Sequence, residues 1–240
     1  MPEHYTIDGD RIAFAPFAGE FGWEVASWAP YCRYQARGFR QVTVTSFADT
    51  AALYADFCTD FQSHGQSGRG LDYPKSFPFY FGTPAEYVRY GRPGCGPRFD
   101  VLIHARGIAR KATINYRHWP AVVERLLARR LLVACIGTAD DGSIAPAVDL
   151  RGAPLPMLMD LCANARVTVG ASSGVMHLAA ACGCDLVVWG DRKTRYRETL
   201  ETRYTTTWNP PPRVAVGYLA TDDWQPDPAA VLAKIEEQLQ

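Results

Sequence analysis

The chain has no long apolar run. No stretch approaches the roughly 18 consecutive apolar residues of a membrane span, and the N-terminus lacks the charged segment and apolar core of a secretory leader. Neither charge is in excess, with 25 Lys and Arg against 25 Asp and Glu, so no global field draws the protein to nucleic acid or to a membrane surface. The seven cysteines, at 32, 58, 95, 135, 162, 182 and 184, are odd in number and mostly set in apolar surroundings. Only Cys182 and Cys184 lie close together, and no second Cys pair or His pair stands at zinc spacing. This argues against a metal site and a disulfide framework and suits reduced thiols in a cytosol. No repeat or low-complexity tract stands out. Together these absences predict a cytoplasmic protein, neither secreted nor membrane-inserted.

What is present is globular: 48% hydrophobic and 12% aromatic residues in 240, enough for one large α/β domain or two small ones. Residues 11–17 read as a strand, 19–22 as a Gly-bounded loop, 23–37 as a helix with Pro30 inside it, 41–47 as a strand and 51–57 as a short helix. That order signals a parallel sheet with crossover helices. From about 62 to 97 the pattern dissolves into Gly, Pro and aromatics, and a domain boundary is expected near residue 97. Beyond it the α/β theme resumes, with strands at 99–104, 131–136, 166–170 and 185–189 and helices at 120–130, 154–164 and 174–182. A Pro-rich bend precedes a C-terminal amphipathic helix at 227–239. The expected organisation is thus an N-terminal α/β domain over 1–97, a second over 98–220 and a terminal helical segment over 221–240.

Charge is even overall but not locally. Between Arg89 and Arg130 stand ten basic residues (at 89, 92, 98, 106, 110, 111, 117, 125, 129 and 130) against two acids, Asp100 and Glu124. Such a segment is either a solvated helix face with a basic loop or a site for an anionic ligand.

The most informative stretch is VTVGASSGVMHLAAACGCDLVVWG, from Val167 to Gly190. It reads as strand, tight turn through Ser172, Ser173 and Gly174, helix ended by Gly183, and strand. The turn places backbone N–H groups and two hydroxyls at a helix N-terminus, where unpaired donors and aligned dipoles suit a phosphate; alternatively the serines simply cap a core helix. Helical spacing puts His177 near Ser173.

This segment resembles the donor-binding segment of heptosyltransferase-type (family 9-like) glycosyltransferases of the GT-B superfamily, with Ser173, Gly174, His177 and Leu178 in the matching positions. Ser172 departs from it, because the family usually has Asp there. The resemblance covers residues 98–190 well and the first 60 loosely. It implies two Rossmann-like domains facing across a cleft, the first reduced, with a nucleotide-diphosphate sugar bound mainly to the second. In the family a basic residue stands two positions before a Trp-Pro pair; here Arg117 precedes Trp119 and Pro120, Arg replacing the usual Lys. Arg106 and Lys111 follow a strand end, the edge at which open α/β sheets bind ligands. Arg192, just past the LVVWG strand, is a further candidate for phosphate.

For the general base the first loop offers Glu24, six residues ahead of Pro30 as in the family, and Glu20. Asp8 and Asp10 form a literal Asp-x-Asp but span an Asp-Gly turn, and Asp140 and Asp141 read as a loop. The expected activity is a glycosyl transfer with no metal and no cofactor beyond the nucleotide-sugar co-substrate, to an acceptor glycan, lipid-linked sugar or nucleic acid. Three other readings stay open: a nucleotide-sugar epimerase, a non-catalytic nucleotide or sugar binding module, and an enzyme acting on nucleic acid. The last would use the basic segment with Phe77, Phe79, Tyr80, Phe81, Tyr87 and Tyr90 as stacking contacts.

Overall fold

The computed structural model describes residues 4–66, 85–107, 115–192, 199–209 and 212–240. Its contacts divide the chain into Met1–Val88 and Arg89–Gln240. Phe77, Phe79, Tyr80 and Phe81 lie outside the described residues.

The first unit is a four-stranded sheet in the order β1-β2-β3-β4. Strands β1 (Tyr5–Asp8) and β2 (Arg11–Phe14) form an antiparallel hairpin through Gly9 and Asp10, so the Asp-x-Asp is a turn. Strands β3 (Gln41–Ser46) and β4 (Asp60–Ser63) run parallel to β2. In β3 the period-2 pattern buries Val42, Val44 and Ser46 and leaves Gln41 outside.

Between β2 and β3 one helical segment changes character twice: α1 (Phe21–Trp23), a five-residue π-helical turn over Glu24–Trp28, then α2 (Ala29–Gln35). Pro30 explains part of this. It has no N–H to offer the carbonyl of Ala26, and the Tyr87 hydroxyl approaches that carbonyl instead at 3.4 Å. One residue earlier, the Ala29 N–H reaches back five positions to Glu24. The segment buries Val25, Trp28 and Tyr31; Trp28 and Tyr31 pack edge-on against Phe14, and Phe17 and Trp28 are stacked at 5.6 Å. The expected helix at 51–57 is instead a 3-10 turn, Ala48–Leu53, followed by plain turns.

The second unit is a six-stranded, wholly parallel sheet in the order β10-β9-β8-β5-β6-β7. Its strands are β5 (Val101–His104), β6 (Val133–Cys135), β7 (Val148–Asp149), β8 (Val167–Ala171), β9 (Asp185–Asp191) and β10 (Val216–Thr221). Its helices are α3 (Trp119–Ala128), α4 (Leu155–Asn164), α5 (Gly174–Cys182), α6 (Leu200–Thr205) and α7 (Pro228–Gln238). The central strands are buried on both faces, as parallel strands covered by helices must be. On one face Val101, Ile103, Val169 and Val187 meet Val122 and Leu126 of α3 and Val231 and Ile235 of α7.

The segment before residue 97 is tied to this unit. The Tyr90 N–H donates to Ala181, and the Arg92 N–H donates to Asp160 at 2.9 Å. The terminal helix α7 also packs on β9, β10 and α3. Among the described residues no helix is long and apolar enough to cross a membrane.

Candidate functional site

From β5 the chain of the second unit moves outward through β6 and β7, then returns to the other side of β5 as β8 and continues to β9 and β10. The direction of winding therefore reverses between β5 and β8. Outside the carboxyl ends of strands at such a reversal the connecting loops part, and open α/β sheets bind their ligands there. The residues at these two ends are His104, which closes β5, and the turn Ala171 to Gly174, which closes β8.

The turn is held from several sides. The Ser172 N–H donates to the Trp189 carbonyl at 2.8 Å, and the Arg106 guanidinium donates to the Ser172 carbonyl at 2.8 Å. The Tyr204 hydroxyl of α6 donates to Ser172 Oγ at 3.0 Å. Ser173 is the N-cap of α5 in extended conformation, but its hydroxyl makes no cap. It lies instead 2.9 Å from His104 Nδ1. The capping function expected of the serine is thus given up to a hydrogen bond across the reversal point.

Behind His104 stands Asp141. Its Oδ2 is 3.3 Å from His104 Nε2 and accepts from the Thr138 N–H and hydroxyl at 2.8 and 2.9 Å. Oδ1 accepts from the Gly107 N–H at 3.1 Å. Burial alone would raise this carboxyl, but His104 and the two N–H groups outweigh it and hold it well below the usual carboxylate range. Gly137 makes room for the pair. It has φ +133, and a Cβ there would stand 2.6 Å from Asp141 Oδ2 and 3.0 Å from His104 Cδ2.

His177, one turn into α5, is stacked on Tyr204 at 5.1 Å and meets Trp208 edge-on at 4.7 Å. Among the described residues its Nδ1 has no hydrogen-bond partner. Burial pushes the imidazole down to about 3 and raises the Tyr204 phenol to about 12, so both are neutral near pH 7.

Of the residues picked from sequence, the second unit brings Arg106, Ser172, Ser173, Gly174 and His177 to one strand edge. Arg117 is elsewhere engaged: it is exposed, and its Nε donates to His118 at 3.1 Å. Arg192 is also exposed and lies 3.5 Å from Asp222, with its N–H on Thr221. Lys111 lies outside the described residues.

In the first unit Glu24 is fully buried. Its Oε1 accepts from the hydroxyls of Ser46, Thr50 and Tyr54 at 2.5, 2.8 and 2.8 Å. The loop position predicts a carboxylate facing a cleft; Glu24 is instead enclosed by β3 and the 3-10 turn that follows it. Glu20, the N-cap of α1, is exposed.

Three residues of the site are not marked by the sequence pattern. His104 reads as a strand end, Asp141 as loop, and Tyr204 sits in a helix too short to show a period. The signal available for His104 was a titratable residue closing an otherwise apolar strand. Among the described residues no group of three His, Cys, Asp or Glu side chains is placed to hold a metal ion.

No family profile and no curated protein sequence matches the chain. Solved structures do match its fold. E. coli ADP-heptose LPS heptosyltransferase II superimposes with a TM-score of 0.62 at 13% identity, over 93% of this chain and 97% of that one. A glycosyl transferase family 9 protein from Veillonella parvula gives 0.69 at 10% identity, over 99% of both chains. The iron-containing dodecameric glycosyltransferase TibC of enterotoxigenic E. coli gives 0.52 at 18% identity, and there the match spans only 56% of that chain. The chain therefore shares its fold with these solved glycosyltransferases, as two α/β units in succession.

Proposed function

We propose that the protein is a glycosyltransferase that takes a sugar from a nucleotide-diphosphate donor held on its second unit. The observation that carries this reading is the turn Ala171 to Gly174 at the winding reversal between β5 and β8, with Arg106 bonded to it. A diphosphate there would meet the N-terminus of α5 and a guanidinium, two sources of positive potential that suit a leaving group gaining charge. The likeness in fold to heptosyltransferases supports it and makes an ADP-linked sugar the first donor to try.

In the reaction the acceptor hydroxyl oxygen forms a bond to the anomeric carbon, the bond from that carbon to the phosphate oxygen breaks, and the nucleoside diphosphate leaves. The acceptor proton passes to a carboxylate. Between the two candidates, the exposed Glu20 suits proton transfer better than Glu24, whose carboxylate already accepts three buried hydroxyls. Glu24 then acts as a positioning residue for the loop that carries Glu20. The proposal includes no metal ion in the chemistry.

Isothermal titration of the full chain with ADP, UDP and GDP tests the donor site, with one nucleotide bound per chain expected. Failure of all three to bind would overturn the reading. Release of nucleoside diphosphate from a sugar donor only when an acceptor is present distinguishes transfer from epimerisation, which would need none.

A further inference from the structure

Asp141, His104 and Ser173 form a hydrogen-bonded line from the loop after β6, through the end of β5, to the first turn of α5. Resting on the donor reading above, we infer that His104 is a positioning residue that sets the direction of the Ser173 hydroxyl and takes up a proton when the diphosphate of a nucleotide sugar binds.

The argument follows the hydrogens. A carboxylate can only accept, so the Asp141 side of the ring, Nε2, carries a proton. In a neutral imidazole the other nitrogen then has a bare lone pair, and at 2.9 Å Ser173 must donate to it. The hydroxyl hydrogen is spent on the ring, and oxygen lone pairs face the mouth of α5. A phosphate oxygen arriving there would meet lone pairs.

A second proton on His104 reverses the bond. Nδ1–H now donates to Ser173 Oγ, the serine hydrogen is free to donate to phosphate, and a positive charge joins the line. Both changes favour the anion. By reciprocity, the anion favours the protonated ring.

The other ionisable groups around the line do not supply this proton. Asp141 is held ionised by His104 itself and by the N–H groups of Thr138 and Gly107, and Arg106 is a permanent cation. From α5 and α6, His177 and Tyr204 are buried and neutral. Gly137 and Gly170, which pack on His104, bring no side chain. Imidazole is the side chain that changes charge near neutral pH.

The test is titration calorimetry of the full chain with ADP-glucose, whose doubly esterified diphosphate has no oxygen that titrates near neutrality. Binding is measured at one pH in PIPES, HEPES and Tris, which release protons with different enthalpies. For the unaltered chain the observed enthalpy should rise with buffer ionisation enthalpy, reporting proton uptake. Affinity should fall as pH rises, by up to about tenfold per pH unit for one linked proton. In His104→Asn the buffer dependence should vanish and the pH profile flatten, and in Asp141→Asn, where the ring remains without its carboxylate, both should shrink.

Nitrogen NMR of the unaltered chain gives a readout that needs no variant. With only five histidines, the His104 ring should move to the doubly protonated signature on adding ADP-glucose. Binding without buffer dependence, or with equal dependence in His104→Asn, would overturn the inference and leave the donor site standing. No binding of ADP-glucose, ADP, UDP or GDP would remove the donor site itself, and the inference with it.

Discussion

Arg106 is a candidate for binding phosphate and Glu24 for the general base, and the difference between them lies in what surrounds each. Arg106 stands at a strand edge with its guanidinium on the Ser172 carbonyl; removing it as Arg106→Ala should weaken ADP binding about ten- to a hundred-fold, the range expected for a charge-assisted hydrogen bond, as read by calorimetry. Glu24 is enclosed by three hydroxyls, so loss of one, as in Tyr54→Phe, should lower stability by about 1–3 kcal/mol in urea denaturation while leaving ADP affinity unchanged.

His177 makes a pH prediction. Its folded-state value, about 3, lies below the ordinary value near 6.5, so the unfolded chain binds its proton first. Stability from this group is present above about pH 6.5 and is lost on acidification toward about pH 3, at roughly 1.4 kcal/mol per pH unit. Urea denaturation of His177→Phe should show a shallower loss between about pH 6.5 and 5, by about 2 kcal/mol. At the strand ends Arg106, Ser172 and Ser173 are legible in the sequence. Their pairing is not, because Ser173 bonds His104 and His104 in turn bonds Asp141, neither of which shares a local pattern with it.

At the level of elements, α5 was readable to the residue because every cue agrees: Ser173 and Gly174 to start, an apolar body, and Gly183 to stop. Gly183 has φ +87, and a Cβ there would stand 2.4 Å from the Arg89 guanidinium. Gly183→Ala should therefore lower the melting temperature, at a cost of about 1–3 kcal/mol from backbone strain and the displaced arginine. The sequence pattern does not mark β4, β7, β10 or α6, and of β1 it shows the Asp-Gly turn that leads into β2. Strand β7 is two residues long and α6 is six, shorter than the window in which a period can be seen. Strand β4 falls where the Gly- and Pro-rich stretch begins, and β10 is an edge strand with a broken inside-outside alternation. In the first unit the π-helical turn has a visible trigger in Pro30, but the sequence does not say that Glu24 is enclosed.

For the whole molecule, even charge makes a separate claim. With no net field, binding to a mixed-sequence RNA or DNA strand should be weak and nearly flat with salt; a steep loss of affinity on adding salt would favour a nucleic acid acceptor. ADP at about one hundred times its dissociation constant should stabilise the protein by about 2.7 kcal/mol and raise its melting temperature. The winding of the second sheet also bears on the order of assembly. Because β8 inserts between β5 and β9, the two strand ends that carry His104 and Ser173 become neighbours only after the intervening chain, β6 through α4, has been made and cleared from that edge. Non-local closure of this kind is slow relative to local hairpins and helices. During synthesis or refolding, nucleotide recognition should consequently be among the last properties to emerge, well after helical content has recovered, and a fluorescent ADP analogue added during refolding would report that delay.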